Sequence, residues 1–136
     1  MKILLVAATY QEIEPFVKKV APKFNPEEWI NLGNNQIKIS ITGVGMVATA
    51  YALGVALHQE SYDLALNVGI AGSFYRNIKL GQLVEVREDI LSELGAEDDE
   101  EFLSLDELEL GEVEFNATDK YQIKQQLRKV TAITVN

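Results

Sequence analysis

The chain has no cysteine. Disulfides, thiolate nucleophiles and cysteine-held metals are therefore excluded. Histidine and tryptophan occur once each. Neither an H-x-x-x-H nor a D-x-D pattern is present, so no metal site and no cofactor are expected. Basic residues are scarce, 12 against 21 acidic ones, for a net charge of -9. A chain of that sign has no electrostatic hold on nucleic acid or on an anionic membrane, and no local basic run offsets it. Apolar runs long enough to span a bilayer are missing, and so is the layout of a signal peptide. A cytoplasmic setting is the expectation. There is no internal repeat, low-complexity tract or linker, so the 136 residues are expected to form one domain, 1–136.

What is present is an alternation of strand and helix, centred on residues 37–73. Ile37-Lys38-Ile39-Ser40-Ile41 alternates apolar and polar, and Thr42-Gly43-Val44-Gly45 breaks it. Residues 46–59 carry apolar side chains at helical spacing. Ser61-Tyr62-Asp63 closes the helix, and an apolar run over 64–68 ends in Gly69-Ile70-Ala71-Gly72-Ser73. This is a βαβ unit with two glycine-rich strand ends. Its two strands are expected to be parallel and adjacent, in one sheet with residues 2–8. Both glycine turns then lie on the carboxyl edge, where open α/β sheets bind ligands.

The flanking segments fit the same class. Residues 2–8 read as a buried parallel strand. Thr9 and Glu12 make a capping box for a helix reaching Val20, with Ile13, Phe16, Val17 and Val20 as its apolar stripe and Pro15 near its start. Gly33-Asn34-Asn35 separates two short strands as a hairpin. Residues 74–80 read as a loop and 82–90 as a strand. The acidic stretch 92–118 is weakly patterned, with residues 97–101 as a solvated tip. Asp119 caps a helix expected to reach Lys129, with Tyr121, Ile123 and Leu127 inward, and 130–135 is strand-like. Trp29 and Tyr51 read as packing residues, and His58 as a surface or core-edge residue.

Two features have chemical potential. Gly43, Gly45 and Ala48 form a G-x-G-x-x-A pattern, a weak dinucleotide fingerprint. Such a site wants an acidic residue at the end of the next strand, and Asp63 stands before that strand instead. Close helix–strand packing accounts for Gly45 equally well. Glu12 is the acidic residue at a strand-to-helix edge. It can be a helix cap or a general base.

Ala8-Thr9-Tyr10-Gln11-Glu12-Ile13, Thr42-Gly43-Val44-Gly45, Asn67-Val68-Gly69-Ile70-Ala71-Gly72 and Leu80-Gly81-Gln82-Leu83-Val84 together resemble the nucleoside phosphorylase and nucleosidase superfamily, in order along the chain. Gly69 to Phe74, Val84-Glu85-Val86 and Leu94-Gly95-Ala96-Glu97-Asp98 are similar to its futalosine-cleaving branch rather than to the methylthioadenosine nucleosidases, which usually carry Ser where this chain has Ile70. The resemblance implies a three-layer α/β fold with a mixed, largely parallel sheet, C-terminally truncated here. It implies hydrolysis of a purine nucleoside, with Glu12 activating water, the backbone of Ala71 and Gly72 bordering the base, and Val44 lining the sugar. Asn67 stands where related phosphorylases hold phosphate with arginine, which favours water over phosphate. The resemblance also implies a homo-oligomer. It puts the base-stacking aromatic, the ribose clamp and the acid for the leaving purine beyond residue 136, so little activity is expected of this chain alone. Two other readings stay open: a nucleotide-binding module of Rossmann or flavodoxin type, and a non-catalytic fragment that pairs its open sheet edge with a partner chain.

Overall fold

A computed structural model describes residues 1–121 and 125–135 of the chain. It divides into two compact units, Met1–Gly72 and Ser73–Asn136. The acidic excess lies after that point: the first unit has 5 basic and 6 acidic residues, the second 7 and 15.

The first unit runs β1 (Lys2–Ala7), α1 (Tyr10–Val20), β2 (Ile30–Leu32), β3 (Asn35–Ile41), α2 (Met46–Gln59) and β4 (Leu64–Asn67). Its sheet has the order β2-β3-β1-β4. β1 is parallel to both β3 and β4, and β2 pairs antiparallel with β3 through the expected tight turn. The expectation that the strands at 37–42 and 64–70 are adjacent is corrected: β1 lies between them. Burial gives the reason. Leu4, Leu5, Val6 and Ala7 are all 8% exposed or less. A strand apolar on both faces gains most in the middle of a sheet covered on both sides. Ala65 and Asn67 of β4 are exposed, as an edge strand tolerates.

This order also places the helices. The chain leaves β1 through α1 towards β3, then returns through α2 over β1 to β4. Right-handed crossovers in opposite directions put α1 and α2 on opposite faces. Alternation along β1 then sends Leu5 and Ala7 to the α1 side, and Leu4 and Val6 to the α2 side. The core on the α1 side is Leu5, Ala7, Ile13, Val17, Ile30, Ile37 and Ile39, with Ile3, Phe16, Val20, Phe24 and Val68 packed against it. α1 continues through Pro15. The ring leaves one helical hydrogen bond unmade, and the packed stripe holds the helix in spite of it.

The second unit runs β5 (Val84–Leu91), β6 (Gly95–Asp98), β7 (Glu101–Ser104), β8 (Glu114–Asn116) and β9 (Arg128–Thr134). β5 is central, antiparallel to β8 and parallel to β9. The register shifts between Val86 and Glu88, and Arg87 sits in that bulge. Its guanidinium donates to the carbonyls of Ala117 and Thr118, both at 3.3 Å, and pairs with Glu85 and Asp119. Asp119 is thus a partner of Arg87 rather than a helix cap. The helix expected over 119–129 is corrected accordingly: 119–121 are bends, and Arg128 and Lys129 already belong to β9. Residues 122–124, with Ile123, lie outside the described residues.

The acidic stretch is more ordered than its patterning suggests. β6 and β7 form a hairpin whose turn holds Asp99 at a φ of 57°, a left-handed position that aspartate tolerates. Gly95 is obligatory there, since a Cβ would stand 2.1 Å from the Leu103 carbonyl. The acidic residues at 97–101 are all exposed, as expected of a solvated tip. Among the described residues no helix is long and apolar enough to cross a membrane.

Candidate functional site

The carboxyl edge of the first unit's sheet is built by backbone bonds to β1. Thr42 N–H donates to the Ala7 carbonyl at 3.0 Å, Gly43 N–H to Ala8 at 3.1 Å, and Val68 N–H to Val6 at 2.9 Å. The turns after β3 and β4 therefore flank the end of β1, where α1 begins. Glu12 stands in the first turn of α1, half-buried. Its Oε2 accepts the Thr9 backbone N–H at 2.9 Å. Its carboxylate also lies against Gly69: a Cβ at that glycine would be 3.2 Å from Oε1 and 3.4 Å from Cδ. Capping and site geometry are thus compatible in one residue. One oxygen serves the helix, and the other faces the end of β4.

The turn after β3 is fixed by Thr42, which is 9% exposed. Its hydroxyl donates to the Gly43 carbonyl at 3.0 Å and shares a 3.1 Å bond with the Thr49 hydroxyl on α2. Gly43 and Gly45 have φ of 85° and 101°, conformations that exclude most side chains. A Cβ on Gly45 would meet nothing within 4 Å, so its role is backbone conformation, and the close-packing explanation is corrected. Gly45 ends the turn as the N-cap of α2, with no side-chain cap and no acidic residue in the first turn.

Val44 projects from this turn, 79% exposed. Ala71 and Gly72 follow Gly69 by two and three residues, both exposed, and a Cβ on Gly72 would meet open space. Glu12, Val44, Ala71 and Gly72 all belong to the first unit, and contact is established for Glu12 with Gly69. Residue-by-residue reasoning missed Gly69 and Thr42. The signal for Thr42 was a hydroxyl directly after a buried strand. Gly69 had none beyond being the first glycine after β4.

The opposite, amino edge holds a separate cluster. Asp63 Oδ2 accepts the Lys2 backbone N–H at 2.7 Å, so this acid fastens β4's start to β1, on the far edge from Gly43 and Gly45. A dinucleotide's ribose there would be out of reach of those glycines. Trp29 is half-buried against the Tyr62 ring at 5.8 Å, with Lys2 Nζ 5.2 Å above it. Burial, then the Glu60 carboxylate, push the Tyr62 hydroxyl's pKa up. Tyr51, by contrast, is 75% exposed, which corrects its reading as a packing residue, and His58 is exposed. Among the described residues no three His, Asp or Glu side chains cluster as a metal site.

The mixed α/β fold, with its mainly parallel four-stranded sheet between two helices, matches that of solved MTAN structures. Two solved structures carry the likeness. The MTAN of Helicobacter pylori superposes with a TM-score of 0.55 at 20% identity, over 69% of this chain and 46% of its own. A mutant of the Helicobacter pylori MTAN, with 5'-methylthioadenosine in the active site, superposes with a TM-score of 0.67 at 15% identity, over 97% of this chain and 62% of its own. The chain thus spans about half to three-fifths of those structures' length. No family profile and no curated protein sequence matches it.

Proposed function

We propose that this chain carries the water-activating part of a purine nucleoside N-glycosyl hydrolase. The observation that carries the reading is Glu12, a half-buried carboxylate at the carboxyl edge of the sheet with one oxygen on the Thr9 N–H and the other against Gly69. In this reading Glu12 takes a proton from water as the water oxygen bonds to the sugar C1′. The bond from C1′ to the purine nitrogen breaks, and its electron pair leaves with the base. The sugar becomes cationic at the transition state, and the carboxylate stabilises that charge. Val44 lines the sugar side, and the exposed backbone of Ala71 and Gly72 borders the base. No described residue is assigned to protonating the departing purine, so slow turnover is expected of this chain alone. The setting is cytoplasmic and the active form a homo-oligomer.

Futalosine is the substrate we favour, giving hypoxanthine and dehypoxanthinyl futalosine in menaquinone biosynthesis. The motifs around Gly69 and Leu94 support it, as does Ile70, 86% exposed where methylthioadenosine nucleosidases usually carry Ser. A methylthioadenosine or S-adenosylhomocysteine nucleosidase is as well supported, through the 5'-methylthioadenosine held by one structural neighbour.

The test uses a form of the protein that releases base, offers futalosine and methylthioadenosine to it with Glu12 and with Glu12→Gln, and measures free hypoxanthine or adenine. Positioned acid–base catalysis contributes roughly 10²–10⁴-fold, and Glu12→Gln is expected to lose that factor while binding persists. Glutamine preserves the cap, since the capping box accepts either residue. Equal turnover in the two proteins reduces Glu12 to a cap. Base release only with phosphate present moves the chain to the phosphorylases.

A further inference from the structure

We infer that Gly69 is a positioning residue for the Glu12 carboxylate, an inference that rests on the chemistry proposed for Glu12. The two residues are anchored independently. Glu12 is tied to α1 by the bond from Thr9 N–H to Oε2. Gly69 follows Val68, whose N–H is tied to the Val6 carbonyl of β1. The carboxylate lies between these anchors, directly over the Gly69 α-carbon. A Cβ there would stand 3.2 Å from Oε1, 3.4 Å from Cδ and 3.7 Å from Oε2. Those three nearest atoms all belong to the one carboxylate. The Cδ distance is inside the roughly 3.5–4.0 Å optimum for carbon contacts, so the carboxylate must give way or turn.

Backbone conformation does not explain the glycine. Gly33, Gly43, Gly45 and Gly81 have positive φ, and Gly69 is not among them. An alanine could adopt the backbone at 69, and what it meets is Glu12. The absent side chain therefore fixes how deep the carboxylate sits and keeps the space beside Oε1 open for water or a sugar. Misplacing a catalytic group by about 1 Å can cost about 10²-fold in rate. A displacement of a few tenths of an ångström is expected to lower kcat about 10-fold with KM retained.

The test is a double-substitution cycle in the 136-residue chain, read by thermal melting: Gly69→Ala, Glu12→Ala and both together. Gly69→Ala is expected to lower Tm when Glu12 is present. It is expected to leave Tm unchanged or raise it slightly in the Glu12→Ala background, because alanine restricts the unfolded chain. A second readout is the Thr9 amide proton, whose NMR shift reports the geometry of its hydrogen bond to Glu12 Oε2. Gly69→Ala is expected to shift that resonance at neutral pH. Equal loss of Tm in both backgrounds, with an unmoved Thr9 amide, overturns the inference. Coupling in the melts upholds it even where Glu12→Gln leaves turnover unchanged, a result that would sink the proposed chemistry alone. An inactive Glu12→Gln protein without coupling sinks the positioning role and spares the chemistry.

Discussion

α1 and α2 lie on opposite faces of one sheet and meet it in different ways. α1 keeps an amphipathic division. Ile13 and Val17 are 2% and 1% exposed, and the outer face carries charges such as the Glu14–Lys18 pair at 3.1 Å. α2 has no Asp, Glu, Lys or Arg, and none of its residues is buried. Val47, Tyr51 and Leu57 are 85%, 75% and 54% exposed. A shallow hollow of about 410 Å³ lies on it, lined by Ala50, Tyr51, Gly54, Val55, His58 and Gln59. A helix apolar all round is ordinarily enclosed on all sides. Here the first unit encloses α1 and leaves α2 half-covered. One helix therefore buries its inner stripe, and the other only half-buries the stripe at Ala48, Thr49, Ala52, Leu53 and Ala56.

Substitutions can break that contrast. The largest effect is expected at Ile13→Ala, which removes apolar volume from the centre of the α1 core. Such changes cost about 2–5 kcal/mol, and the loss is expected as a lowered midpoint in urea unfolding. A cost under about 1 kcal/mol would mean that α1 is no better seated than α2. Gly45→Ala comes next. It forces alanine to a φ of 101° at the N-cap of α2, strain worth roughly 1–3 kcal/mol. Because the strain is in the backbone, this exposed position should matter more than any side chain on the helix's outer face. Unchanged stability in the same unfolding assay would refute that.

The same contrast explains what was legible in the sequence. α1 wrote its boundaries locally: Thr9 and Glu12 at the start, four apolar residues at helical spacing, lysines near the end. β1 announced a central strand by its run of Leu4 to Ala7. Its insertion between β3 and β4 was not local information, because strand order depends on which long-range pairing buries most. The 119–129 segment misled because Asp119 has the chemistry of a cap. The bulged Arg87, 32 residues away in sequence, takes that carboxylate instead. At the candidate site, Glu12 and the strand-end glycines were visible as residue types at a sheet edge. The contact of Glu12 with Gly69 was not, since the two are brought together by β1 lying beside β4.

The smallest effect is expected on the outer face of α2. Tyr51→Ser removes a large aromatic side chain, and in a core such truncations cost several kcal/mol. Tyr51 is 75% exposed, so little of its surface leaves water on folding. Serine and tyrosine are about equal as helix formers. The unfolding free energy should therefore stay within about 0.5 kcal/mol of wild type, as for surface positions generally. The measurement is urea unfolding at several protein concentrations. A loss above about 1 kcal/mol at every concentration would show Tyr51 packed within the chain. A loss that grows with concentration would show instead that the wild-type chain covers this face by associating with itself, and that the contrast with α1 belongs to the single chain alone.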